Sequence, residues 1–71
     1  MYTVKVVCAT FNAVVEVAFE QSAYVVESQL RGAVPTGESY KSWVERPDGW
    51  TEFSHYDAEE GVGGGATFLT E

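Results

Sequence analysis

The stretch Tyr40–Tyr56, YKSWVERPDGWTEFSHY, is the strongest local constraint in the chain. Pro47 suits the first central position of a type I turn, Asp48 the second, and Gly49 the left-handed residue that follows. The flanks are rich in aromatic and β-branched residues, which favour extended backbone. The expected element is a β-hairpin with a three-residue loop and a bulge. Its register opposes Arg46 to Trp50, Glu45 to Thr51, Val44 to Glu52 and Trp43 to Phe53. A two-residue loop of Asp48 and Gly49 would set Glu45 against Glu52, a like-charge pair that disfavours strand pairing. The three-residue register also sorts the faces. Trp43 and Phe53 share one face and are expected to pack on a helix. Tyr40, Arg46, Trp50, Glu52 and Tyr56 share the other, where Arg46 beside Trp50 can stack as a cation–π pair.

The rest of the chain reads around this hairpin. In YTVKVVCAT, residues Tyr2, Val4, Val6 and Cys8 point one way, and Thr3 and Lys5 the other, which predicts a strand with one buried face. Cys8 falls on that face, as a packed thiol rather than a reactive one. VVEVAFE also alternates, with Val15, Val17 and Phe19 inward, and its valines favour a strand. The alternative is one long helix capped by Asn12 and running to Arg31. In the strand reading, Ser22 caps a helix over Ala23–Arg31 that Gly32 stops. Both readings bury Phe19, Val26 and Leu30 and leave Glu16 and Glu20 in solvent. Glu27 and Arg31 stand four apart, in the favourable order for a helix-surface ion pair. AVPTGES, with Pro35 and Gly37, is a connecting loop. ATFLT near the end predicts a last short strand through Phe68, reached by a glycine run that acts as a flexible connector. The expected fold is α+β. It is a single small domain over residues 1–71, with an antiparallel sheet of four or five strands and one helix on one face, in the order ββαβββ, or βαβββ if the helix is the longer one.

Charge then narrows the function classes. Eleven acidic residues against four basic ones give a formal charge of −7. Direct nucleic-acid binding needs cations to neutralise phosphates, so it is disfavoured, as is an anionic membrane. A basic protein surface is the natural complement, and opposite charge also speeds encounter. With 45% hydrophobic and 14% aromatic residues, the chain is a folded body under a negative coat, not a disordered acidic tail. The single cysteine excludes an internal disulfide and fits a reducing compartment. No leader pattern and no long apolar run are visible, so the expected location is the cytoplasm.

The motifs that would carry chemistry are missing their essential members. The run GVGGG at 61–65 lacks the Lys-Ser or Lys-Thr of a phosphate loop, and no helix is expected after it, as a dinucleotide site would need. Asp57, Glu59 and Glu60 are close together but do not follow calcium-loop spacing. His55 is the only histidine and has no second zinc ligand at hand. His55 and Asp57 resemble a base and its orienter, yet no nucleophile accompanies them. The expectation is therefore no catalysis, no cofactor and no metal.

The acids make better sense as an array. Glu45, Asp48 and Glu52 surround the hairpin tip, and Glu38, Asp57, Glu59 and Glu60 are expected nearby. Same-face residues two apart in a strand stand about 6.8 Å apart. That is the scale on which phosphates follow one another along a nucleic acid strand. The candidate partner-binding residues are thus Glu45, Asp48, Glu52, Asp57, Glu59 and Glu60 as phosphate surrogates, with Trp50 and Tyr56 as aromatic anchors.

In size, acidity and compact α+β pattern, the chain resembles the small DNA-mimic inhibitors encoded by phages and mobile elements, which include anti-CRISPR and anti-restriction proteins. The resemblance is of class and rests on no shared motif, so it assigns no residue roles. It implies a stoichiometric blocker of a bacterial nucleic-acid-binding defence complex, a CRISPR effector or a restriction enzyme, engaged through that complex's basic DNA or RNA site. The alternative is an acidic interaction or accessory module, possible as a homodimer joined through the aromatic sheet face.

Overall fold

A computed structural model describes residues 1–69 of the chain. It contains β1 (Tyr2–Cys8), β2 (Asn12–Val17), α1 (Glu20–Gly32), β3 (Tyr40–Glu45), β4 (Trp50–Asp57) and β5 (Val62–Leu69). The strands form one antiparallel sheet in the order β2-β1-β3-β4-β5. The order of elements is the expected ββαβββ, with residues 12–17 as a strand and not as part of a long helix. Val14, Val15 and Val17 decide this locally, since branching at Cβ limits side-chain rotamers in a helix but fits a pleated strand. No helix among the described residues is long and apolar enough to cross a membrane.

The central hairpin has the predicted register, with Glu45 opposite Thr51, Val44 opposite Glu52, Trp43 opposite Phe53 and Tyr40 opposite Tyr56. The Gly49 amide donates to the Arg46 carbonyl (3.1 Å), and the Arg46 amide to the Trp50 carbonyl (2.8 Å). Gly49 has φ +92°, the left-handed conformation that the three-residue loop requires. Arg46 does not stack on Trp50. Its guanidinium pairs with Asp48 at 3.0 Å, a partner two residues away across the turn.

The β1 and β2 faces are as expected, with Val4, Val6 and Val17 on the helix side, but the faces of the β3–β4 hairpin are the reverse of those expected. The helix lies over β1, β2 and β3. Beneath it are Val4 and Val44, fully buried with Ala23 of the helix, and around them Tyr2, Val17, Tyr24, Val26 and Leu30. Val44 and Trp43 are neighbours in a strand and so face opposite ways. Trp43 and Phe53 therefore pack against each other on the open face, their rings tilted by 44° with centroids 5.3 Å apart. Hydrophobicity alone favours the tryptophan as the core residue. What decides against it is the small contact area under a 13-residue helix, where Ala23 lets the helix approach closely and valines fill the remaining space.

The helix begins earlier than its sequence signals suggest. Phe19 occupies the N-cap position with no side-chain cap, and Ser22 lies within the first turns. Phe19 is not inward: it is 73% exposed. Glu27 and Arg31 do not pair with each other. Glu27 accepts from the Ser42 hydroxyl (3.2 Å), while Arg31 donates to the Tyr40 hydroxyl (2.9 Å) and lies over the Tyr40 ring, 5.4 Å from its centroid. Both side chains find partners on the sheet, where the hydroxyls are held in place. Cys8 stands at the end of β1 on the helix side, half-buried, with its sulfur 3.5 Å from the Thr10 hydroxyl.

The glycine run is not a connector. Gly63, Gly64 and Gly65 lie inside β5, opposite Tyr56, His55 and Ser54. Nor does the last strand start at Ala66: it starts at Val62, and Thr70 lies outside the described residues. The close approach of β4 explains the glycines. A Cβ on Gly65 would come 2.9 Å from the Phe53 carbonyl oxygen, and one on Gly64 would come 2.9 Å from Nε2 of His55. The first obstacle is backbone and the second is the end of a rotatable ring. Gly65→Ala is thus expected to lower the unfolding free energy by about 1–3 kcal/mol. Gly64→Ala should cost less, because His55 can turn aside. Urea denaturation of the two variants makes the comparison, and equal losses would mean that His55 is held as firmly as the strand.

Candidate acidic interface

The sequence-predicted residues lie on β4, on its two flanking turns and, for Glu45, at the end of β3, but they do not form one patch. Trp50 and Asp57 are the ends of β4. At a rise of about 3.4 Å per residue they stand about 24 Å apart. Glu45, Asp48, Trp50 and Glu52 gather at the end that holds the β3–β4 turn. Tyr56, Asp57, Glu59 and Glu60 gather at the end that holds the β4–β5 turn. They also divide between faces, since Glu52 and Tyr56 point to the helix side while Glu45 and Asp57 point to the open side.

At the β3–β4 end, the negative charge is largely answered within the chain. Lys5 pairs with Glu45 at 2.6 Å, and Arg46 pairs with Asp48 at 3.0 Å. Asp48 also accepts the Trp50 amide at 3.0 Å, which fixes the turn. Glu52 accepts a hydrogen bond from the Tyr24 hydroxyl across the edge of the helix. That bond, helped by partial burial and by the negative charge of Glu52, pushes the Tyr24 phenol up to about 12, from an ordinary value of 10.0. The folded state thus holds the phenolic proton more tightly than the unfolded chain. The stabilisation is complete below about pH 10 and is lost as pH rises through about 12. Thermal unfolding followed between these limits should show falling stability in the native chain, with a shallower decline in Tyr24→Phe.

The β4–β5 end is different. Asp57 accepts the amides of Glu59 (3.0 Å) and Glu60 (3.4 Å) on one carboxylate oxygen. The Gly61 amide closes the loop onto the Asp57 carbonyl (2.8 Å), and Gly61 takes φ +68°. The Ala58 amide donates to the Ser39 hydroxyl (2.9 Å), which ties the turn to the loop before β3. That same loop carries Glu38, whose carboxylate accepts from Thr10 at 3.2 Å. The outcome is a pinned turn that holds Glu59 and Glu60 in solvent, both exposed. Among the described residues, neither has an ion-pair partner. Behind the turn, the Tyr40 and Tyr56 rings stack with centroids 5.9 Å apart. A notch between these loops is lined by Cys8, Glu38, Tyr40, Tyr56 and Glu59.

No protein-family model matches the chain, and the searches of curated proteins and solved structures found no match.

Of the sequence-predicted set, Tyr56, Asp57, Glu59 and Glu60 come together with Glu38, but at the far end of β4 and not beside the hairpin tip as expected. Glu45, Asp48, Trp50 and Glu52 belong to a second, mostly neutralised group. Tyr40, the stacking partner of Tyr56, was legible in the hairpin register as its cross-strand neighbour. His55 and Asp57 do share a face, but His55 stacks on Phe53 (5.7 Å between centroids) and Asp57 holds the turn amides. The described residues contain no group of three or more His, Cys, Asp or Glu arranged to hold a metal ion.

Proposed function

We propose that this chain is a non-catalytic binding domain that presents the acidic β4–β5 end to the basic surface of a nucleic-acid-binding complex, and so blocks that complex's DNA or RNA site. The reading rests on one contrast. Carboxylates at the β3–β4 end are matched by Lys5, Arg46 and Tyr24, whereas Glu59 and Glu60 stand on a braced turn and have no ion-pair partner among the described residues. A rigid turn costs little entropy on binding, and carboxylates held outward can take arginine or lysine in charge-assisted hydrogen bonds. Glu38 and Asp57 add charge at the same end, and Tyr56 supplies an aromatic surface beside it.

In this reading Glu38, Asp57, Glu59 and Glu60 are the phosphate surrogates. Glu45, Asp48 and Glu52 contribute to the field of the whole domain rather than to the contact. A bacterial CRISPR effector or restriction enzyme is the class of target, and the host cytoplasm the place of action. Capture of such a complex from bacterial lysate tests the proposal. Binding that falls steeply between about 50 and 200 mM salt supports it. Binding indifferent to salt contradicts it.

The open face favours a second reading. Trp43 and Phe53 pack together there, with Phe68 and Val14 exposed around them at 43% and 58%. A protein module that docks through this face would bind without strong salt dependence, and would lose binding in Trp43→Ala while Glu59 and Glu60 variants retain it.

A further inference from the structure

The two edges of the sheet are unequal. β2 has the helix packed along it and carries the exposed charge of Glu16. β5 has eight residues, VGGGATFL, all exposed, with no charge and no proline. Natural sheets blunt free edges with charges, prolines, bulges or cover, because an open row of amides and carbonyls pairs readily with another strand. β5 uses none of these. Its large side chains are also left in solvent, with Val62 53%, Phe68 43% and Leu69 59% exposed.

We propose that β5 pairs antiparallel with β5 of a second copy of this chain, so that the two five-stranded sheets become one continuous sheet. The distribution of side chains selects the second copy as occupant. A two-fold axis at Ala66 sets Gly65 opposite Thr67, Gly64 opposite Phe68 and Gly63 opposite Leu69 of the second copy. Each opposed pair has numbers of the same parity, so both helices fall on the same side of the joint sheet. The bulky end of one strand thus meets the bare end of the other. Phe68 of the second copy lies over Gly64 beside the His55 ring, which already covers that glycine. Leu69 of the second copy lies over Gly63 beside the Tyr56 ring, whose edge carbon is 3.7 Å from where a Cβ would stand. A strand from an unrelated protein has no reason to carry large residues at those positions and small ones at the others.

Charge permits the pairing at the seam while opposing it at long range. The strand itself is neutral, but each chain carries −7. Salt screens that repulsion, so self-association strengthens as salt rises, the opposite of what the acidic-end contact predicts for a basic target.

The test is analytical ultracentrifugation of the full chain and of Ala66→Lys and Ala66→Glu, with circular dichroism to check that each variant is folded. The axis sets residue 66 against itself, so each variant alone opposes like charges and should weaken self-association by at least about tenfold. An equimolar mixture of the two variants should restore it through opposite charges. If the lysine or the glutamate disturbs folding, Thr67→Lys, opposite Gly65 of the second copy, provides the weakened edge instead. A native chain that stays monomeric up to about 1 mM, the regime of the weakest specific complexes, overturns the proposal. So does a dimer that survives Ala66→Lys, or one that is lost in Trp43→Ala but not in the Ala66 variants.

Discussion

Val44→Asp is expected to abolish cooperative unfolding, while Trp43→Asp, one residue earlier, leaves a folded protein. A chain of 71 residues has about 4–10 kcal/mol of stability at typical values per residue. Val44 is fully buried against Val4 and Ala23. An unpaired carboxylate there must either stay charged in an apolar site or take up a proton at a cost, and the penalty is several kcal/mol. The fold has few other buried residues with which to offset it. Trp43 faces solvent on the other side, so an aspartate in its place remains hydrated and loses mainly the contact with Phe53. Thermal melts followed by circular dichroism separate the two. A folded Val44→Asp beside an unfolded Trp43→Asp would put the helix on the wrong face of the sheet.

The second large effect concerns binding. Glu59→Lys/Glu60→Lys changes the net charge from −7 to −3, two reversals of two units each. Neither side chain has an ion-pair partner among the described residues, and the turn that carries them is held by Asp57, Ser39 and Gly61. The variant should therefore fold with unchanged stability. Against a basic target it replaces attraction by like-charge repulsion at the contact. Each close interfacial charge pair is worth about 1.5 kcal/mol or more, so the pair of reversals should weaken binding by at least about a hundredfold. Reversal of Glu45 and Asp48 is the control, since Lys5 and Arg46 already answer those charges. Equal loss from both double variants, at matched net charge, would reduce the acidic end to a contributor of bulk charge.

Much of the fold was legible because local chemistry and tertiary structure agree. RPDGW specifies its turn, and the register of β3 against β4 follows from it. The valines of residues 12–17 resolve to a strand as expected from their branching. The face that receives the helix was not legible, because alternation states only that Trp43 and Val44 differ. Which of them lies under the helix depends on how closely Ala23 approaches the sheet, a property of two elements distant in sequence. The place of the glycine run in a strand is not legible for a related reason. Three glycines have no intrinsic strand preference, and only the carbonyl of Phe53 and the ring of His55 opposite them explain their place in β5.

The candidate site divides in the same way. The sequence identifies every acid but not its distance from the next cation. The Lys5–Glu45 pair joins β1 to β3, and the Tyr24–Glu52 hydrogen bond joins α1 to β4. Both depend on long-range topology, and they turn a presumed single array into a neutralised end and a free one. Asp57, Glu59 and Glu60 are the exception. Their grouping follows from one tight turn, so it was visible before any topology was known.

The central claim is that the free acidic end occupies a site meant for phosphates, and competition tests it most directly. Tagged protein is bound to a captured nucleic-acid-binding complex at low salt, and double-stranded DNA is then added in excess. Release of the complex by the DNA, together with failure of Glu59→Lys/Glu60→Lys to capture it, is the result predicted here. A complex that stays bound in excess DNA and is captured equally by the double variant would contradict the account, and would move the contact to the aromatic face of Trp43 and Phe53.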